Sequence, residues 1–320
     1  MSVEIESLDA DGLDAWQSFL DRCPGATFYH SAQFQEHNRA KCERTVYLLF
    51  RRKGKYVAGL PGGVCEGGRG PELRSPFSAS FAGLLFPEPP PVVLCLEVLR
   101  ALRAWCADRG LSSIALAQTP DCYGQHYGGL LEYCLRVEGY DLSNYDLSHA
   151  LRLEESPLSR FSEAARRNFR RGRAAGLVVQ PSTDLAASYA LIREHLDKLG
   201  GGASLSKDEY LAMTSLIGDK IWTLSVIHEG AEAAAGVFYA LSAKCLLLFW
   251  WAHKQEVQQM RPINFLAHEV AVRAYSQGFE YFDLGTTSAD TVLREGLARF
   301  KESLGGIGFL RKRFVLTLAP

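Results

Sequence analysis

The 320-residue chain has no long apolar run; the longest uninterrupted one, Cys245–Ala252, is eight residues. That length suits a buried strand and falls far short of the roughly 20 residues a helix needs to cross a bilayer. Neither sign of charge is in excess, the formal net charge being −1. Non-specific coating of nucleic acid is therefore not implied, and any anionic partner must be held by a local patch. The eight cysteines (Cys23, Cys42, Cys65, Cys95, Cys106, Cys122, Cys134 and Cys245) form no Cys-x-x-Cys pair and stand beside no histidine at zinc-ligand spacing. No metal site is expected, and free buried thiols in a reducing cytosol are. The first ten residues carry acidic groups and no apolar core, so no secretory signal is expected and the expected location is cytoplasmic.

What is present is a pattern that occurs twice. Thr45–Phe50 and Tyr56–Leu60 read as a hairpin turning at Gly54. After Pro91, apolar residues at 94, 98, 102 and 105 mark one helix face. Gly110 stops that helix and Ser113–Ala117 reads as a strand. In the second half, Trp222–His228 and Ala234–Leu241 form the hairpin, and Cys245–Ala252 adds a third strand. Pro262 precedes a helix through Phe265, Val270 and Ala274, Gly278 stops it, and Tyr281–Leu284 is a strand. Two copies of one α/β unit follow from this order. The boundary is expected near residue 150, after which Pro157 opens a helical stretch, and Phe309–Leu318 reads as a final strand.

Three local features could carry chemistry. Arg166, Arg167, Arg170, Arg171 and Arg173 fall within eight residues of an otherwise neutral chain. At helical spacing Arg166, Arg170 and Arg173 share one face, with Arg167 and Arg171 on the adjacent one. A planar guanidinium fork suits phosphate, although the same run also fits a solvated basic face. His253 ends an aromatic strand, where it can act as a general base or simply hydrogen-bond the backbone. The third feature is Phe282-Asp283-Leu284-Gly285 followed by Gly296-Leu297-Ala298-Arg299-Phe300-Lys301. It places one ammonium near a strand end and a helix N-terminus, where developing oxyanions are stabilised. Asp283 can position a substrate amine or cap the next turn, and Asn264 stands where a helix N-terminus would face a ligand.

The run Arg166–Arg171, then Arg261-Pro262-Ile263-Asn264, Tyr281–Gly285 and Gly296…Phe300-Lys301 resembles the Fem-type peptidyltransferases and the wider GNAT-like bacterial N-acyltransferases near them. The opening Thr27-Phe28-Tyr29-His30-Ser31…Phe34 is similar to that family's first helix. The resemblance implies an α/β (α+β) fold of two tandem GNAT-like domains, with mixed sheets flanked by helices. The expected segments are 1–150, a structural or acceptor-binding first domain; 151–305, carrying the active site; and 306–320, a strand returning to the first domain. It also implies that Phe300 and Lys301 lie at the reaction centre, with Lys301 stabilising negative charge, and that Arg167, Arg170 and Arg171 hold substrate phosphate. Catalysis is expected from Lys301, Asp283 and His253, and substrate binding from the three arginines, Asn264, Gly285 and Phe300. Backbone N–H groups near Gly285 or Gly296 are expected to assist Lys301.

The expected function is acyl or aminoacyl transfer from an activated donor onto a small-molecule or peptide amine. No cofactor is expected to be tightly bound, with aminoacyl-tRNA or acyl-CoA as co-substrate and charged tRNA as a partner in the first case. Two departures bear on this. The opening helix reads Phe34-Gln35-Glu36-His37, without the lysine of members that act on nucleotide-linked precursors. No intact acyl-CoA pyrophosphate loop is found, the nearest being Gln125-His126-Tyr127-Gly128-Gly129-Leu130. The alternatives are acyl-CoA- or acyl-carrier-dependent N-acylation in polysaccharide or lipid modification, and a non-catalytic ligand-binding module with a degenerate transferase cleft.

Overall fold

The computed structural model describes residues 3–9 and 12–318; the expected outer limits, 1 and 320, lie outside them. Its elements in chain order begin with β1 (Glu4–Leu8), α1 (Leu13–Leu20), α2 (Ala32–His37), β2 (Arg44–Arg52), β3 (Lys55–Gly67), β4 (Gly70–Ser75), α3 (Val92–Ala107), β5 (Ser113–Ala117), α4 (Gly128–Val137) and β6 (Asp141–Arg152). They continue with α5 (Glu163–Ala174), β7 (Val178–Pro181), α6 (Leu185–Lys198), α7 (Lys207–Ile217), β8 (Ile221–His228), β9 (Ala231–Ala240), β10 (Cys245–His253), α8 (Pro262–Ser276), β11 (Tyr281–Thr286), β12 (Ser288–Ala289), β13 (Val292–Leu293), α9 (Glu295–Ser303) and β14 (Ile307–Thr317). The chain divides into two units, residues 1–146 with 310–320, and residues 147–309.

In the first unit the strands run β1-β2-β3-β4-β5-β14. Every pair is antiparallel except β4 with β5. Both faces are covered, which is why β2 reads as a continuous apolar run. Val46, Leu48 and Phe50 enter one core with α3 and α4, while Tyr47 and Leu49 enter another with Trp16, Phe19 and Leu20 of α1. The expected opening helix is a 3-10 turn at Phe28–His30 followed by α2, whose N-cap Ser31 accepts from Phe34 N at 3.2 Å.

The second unit repeats the plan, with β6-β11-β10-β9-β8-β7 antiparallel except for β10 with β11. Its main core joins Phe161, Ala165 and Phe169 to Phe265, Leu266 and Val270 of α8 and to Leu246, Leu248 and Phe282 of the sheet. Tyr189 of α6, Tyr210 of α7 and Trp250 form an aromatic cluster. Each unit is completed by a strand from the other half of the sequence: β6 pairs with β11, and β14 with β5. The stop glycines Gly110 and Gly278 take φ values of +66° and +87°, the left-handed turn that ends a helix at little cost only for glycine.

Candidate functional site

The parallel strands β10 and β11 share a short ladder whose last pair is Leu247 with Asp283. Beyond it each strand is distorted by one extra residue. In β10 the register against β9 slips between Leu248 and Trp250, so Phe249 is bulged. Alternation is thereby inverted: Leu246 and Leu248 face the α5–α8 core, and after the bulge the odd-numbered Trp251 packs against it. In β11, Leu284 and Gly285 together face only His149 of β6, since Asp283 pairs with Ala150 and Thr286 with Ser148. Gly285 has φ +78°, which a side chain adopts only with strain.

Asp283 fixes that bulge. Its carboxylate is fully buried and Oδ1 accepts from Gly285 N at 2.7 Å. The Gly285 N–H is therefore engaged by Asp283, which corrects the expectation that this group helps stabilise an oxyanion. Lys301, on the last turn of α9, is 4 % exposed and donates from Nζ to the Thr286 carbonyl oxygen at 2.8 Å. A Cβ placed on Gly285 would lie 3.6 Å from this nitrogen and 3.5 Å from Leu248 O. His149, absent from the sequence-derived candidates, is the residue opposite the bulge. It lies with Nδ1 3.3 Å from Thr287 Oγ1 and Nε2 3.6 Å from Glu302. Burial, opposed by Glu302, lowers its pKa.

A cavity of about 210 Å³ lies by the end of β10 and the start of α8, lined by Trp251, His253, Arg261, Asn264, Phe300 and His195 among others. Trp251 and Phe300 meet edge-on at 5.9 Å. Arg261 ends the preceding 3-10 turn in left-handed backbone, and Pro262 begins α8 with no side chain capping the first turn. The first turn of α8, Pro262 to Asn264, lines the cavity, and a helix start without a side-chain cap favours anions. His253 Nδ1 lies 3.0 Å from Lys254 O. A carbonyl only accepts, so in the neutral ring Nδ1 carries the hydrogen and Nε2 keeps its lone pair. The structure brings His253, Asn264 and Phe300 to one cavity, and gathers Lys301, Asp283 and Gly285 at the β11 bulge.

The arginines stand elsewhere. Ser162 caps α5, and the helix packs through Phe169, stacked on Phe265 at 5.7 Å, and through Gly172, where a Cβ would be 3.2 Å from Met260 O. Arg167, Arg170, Arg171 and Arg173 point outward and Arg166 is partly exposed. None of the five has a side-chain hydrogen bond or ion pair among the described residues. They do not line this cavity.

The first unit differs at the corresponding opening. Beyond its last β4–β5 pair, Ser75 with Leu116, the gap is filled by the chain itself: Ala82 N donates to Ala117 O at 2.9 Å and Thr119 N to Ala82 O at 3.1 Å. Gln118 Oε1 accepts from Leu84 N at 3.1 Å. Gln125, the start of the nearest pyrophosphate-loop match, is buried ahead of α4.

Six of the eight free thiols are buried. Burial pushes Cys23 and Cys106 up to about 12 and Cys42 to about 11, which keeps them protonated and unreactive. Among the described residues no group of three or more His, Cys, Asp or Glu is placed to hold a metal ion, and no helix is long and apolar enough to cross a membrane.

Residues 159–302 match the family model described as an acetyltransferase (GNAT) domain. No curated protein matches the chain in sequence. Among solved structures, FemX superposes with TM-score 0.74 at 10% identity, covering 98% of this chain and 97% of that one. L-PGS from Bacillus licheniformis gives 0.55 at 14% identity, over 96% and 90%. A tandem GNAT protein from the clavulanic acid biosynthesis pathway gives 0.53 at 12% identity, over 100% and 99%. At these identities the likeness is one of fold.

Proposed function

We propose that this chain, whose residues 159–302 match the model of an acetyltransferase (GNAT) domain, transfers an aminoacyl group from charged tRNA onto an amine acceptor. The observation that carries the reaction centre is the buried Lys301 ammonium beside the Gly285 bulge, with its neighbour Phe300 walling the adjacent cavity. The amine attacks the ester carbonyl, and negative charge grows on the carbonyl oxygen. Lys301, buried and held on a main-chain carbonyl, stabilises that charge without reorganising; such preorganised donors contribute about 3–4 kcal/mol. Asp283 is a positioning residue that holds the bulge. His253, which lines the cavity and whose Nε2 keeps its lone pair when the ring is neutral, takes the proton from the amine. Asn264 and the first turn of α8 orient the donor.

The unpaired arginine row on α5 supports a polyanionic donor, since exposed guanidinium groups without protein partners are available to phosphates. The uncapped N-terminus of α8 favours a second reading, in which the donor is an acyl-CoA whose phosphates meet that helix end. Titration with charged bulk tRNA and with acetyl-CoA, each at low and moderate salt, separates them. Binding of charged tRNA that weakens steeply with salt supports the first donor. Saturable, salt-insensitive binding of acetyl-CoA alone replaces it with the second.

A further inference from the structure

A second cavity, of about 540 Å³, lies against α6 and the β9–β10 ends, and it shares two residues with the first: His195 and His253. Their rings are 5.9 Å apart. The pair forms the boundary between a cavity walled by Trp251 and Phe300 and one that carries Glu194, Glu232, Lys254 and Glu256.

Glu232 is held in place. Its Oε1 accepts from Ser188 Oγ at 2.7 Å and also from Ser225 Oγ, and both serines are buried. A carboxylate offers about four acceptor sites, so two hydroxyls on one oxygen leave capacity for a ligand while fixing the charge at the wall. Glu194 is neutralised by Lys198 at 2.6 Å. Of the remaining lining charges, Glu232 and Glu256 outnumber Lys254. A cation entering this cavity meets a preset carboxylate and, where the two cavities meet, the ring of His253.

We propose that this cavity is the acceptor subsite, and that it takes an alkyl primary amine as its ammonium, with Glu232 as counter-ion and His253 at the passage to the donor. The proposal rests on the acyl-transfer reading of the first cavity. Over the reaction the ammonium loses two protons, one through His253 to solvent and one to the leaving oxygen of the donor. The nitrogen lone pair forms the C–N bond as the ester C–O bond breaks. Burial, His253 and Lys198 lower the pKa of His195, which disfavours a second positive charge beside the entering cation.

The test uses 1,5-diaminopentane and its uncharged isostere 1,5-pentanediol as probes, with histidine ring NMR signals assigned through His195→Gln and His253→Gln. Saturable shifts of both rings with the diamine and none with the diol are expected. Glu232→Gln should weaken diamine binding at least fivefold, and Glu256→Gln, at an exposed side chain, should weaken it in the same direction. Equal responses to diamine and diol, no saturable response, or unchanged affinity in both variants would overturn the subsite. The same samples are titrated with acetyl-CoA and with charged tRNA. A protein that binds the diamine but neither donor keeps the subsite and contradicts the acyl-transfer reading; one that binds a donor but not the diamine does the reverse.

Discussion

Lys301 Nζ donates at 2.8 Å to the carbonyl oxygen of Thr286, the residue after Gly285, the one glycine of β11. Gly285 takes φ +78° there, and a Cβ would lie 3.6 Å from the ammonium. Gly285→Ala is therefore expected to cost roughly 1–2 kcal/mol in stability through left-handed backbone strain. It should also cut turnover by at least about tenfold, because sub-ångström displacement of a catalytic group is expensive. Urea unfolding read beside the transfer rate checks both. Wild-type stability and rate together would show that the bulge does not position Lys301.

The arginines of α5 predict a salt-dependent effect. Changing Arg167, Arg170 and Arg171 to Ala together should leave unfolding within about 0.5 kcal/mol of wild type, since these side chains are exposed. The slope of log affinity for charged tRNA against log salt should fall by about one per arginine that contacts phosphate. An unchanged slope would remove α5 from the donor site.

Acid should destabilise the first unit through His30. This ring is fully enclosed, its Nδ1 accepts from Thr27 N at 3.1 Å, and burial lowers its pKa from 6.5 to about 4. Below pH 6.5 the unfolded chain takes up a proton that the folded chain refuses. The contribution is thus fully present above pH 6.5 and is lost as pH falls towards 4, roughly 3 kcal/mol in all. Urea midpoints for wild type and His30→Asn, which retains an acceptor, should diverge in pH dependence across that window. Parallel curves would contradict the assignment.

Much of this architecture is legible in the chain, because hairpins and proline-led helices are encoded locally. Pro91 and Pro262 precede or open α3 and α8, and Gly110 and Gly278 follow their ends. Strand β4 was not legible; Gly70-Pro71 opens it with turn residues, and it exists through pairing with β3 and β5. The bulge at Phe249 is equally hidden, since alternation alone cannot show which aromatic of β10 turns towards the α5–α8 core. Lys301, Asp283 and Gly285 could be named from their motif, but the engagement of Gly285 N by Asp283 depends on a tertiary turn. His149, His195 and Glu232 carried no local signal; long-range pairing and helix packing place His149 opposite the β11 bulge and His195 and Glu232 at the cavities beside α6. The arginine run was conspicuous in sequence, yet its place is an outward helix face rather than the cavity wall.

The central claim is that Lys301 stabilises charge during acyl transfer in the second unit. The direct measurement is the rate at which wild type and Lys301→Met form an amide with a pool of small primary amines, from radiolabelled aminoacyl-tRNA and from acetyl-CoA. Wild type should use one of the two donors, and Lys301→Met should be slower by about 10²–10³-fold with its circular dichroism unchanged. Amide formation from neither donor, or a Lys301→Met variant as fast as wild type, would contradict the account.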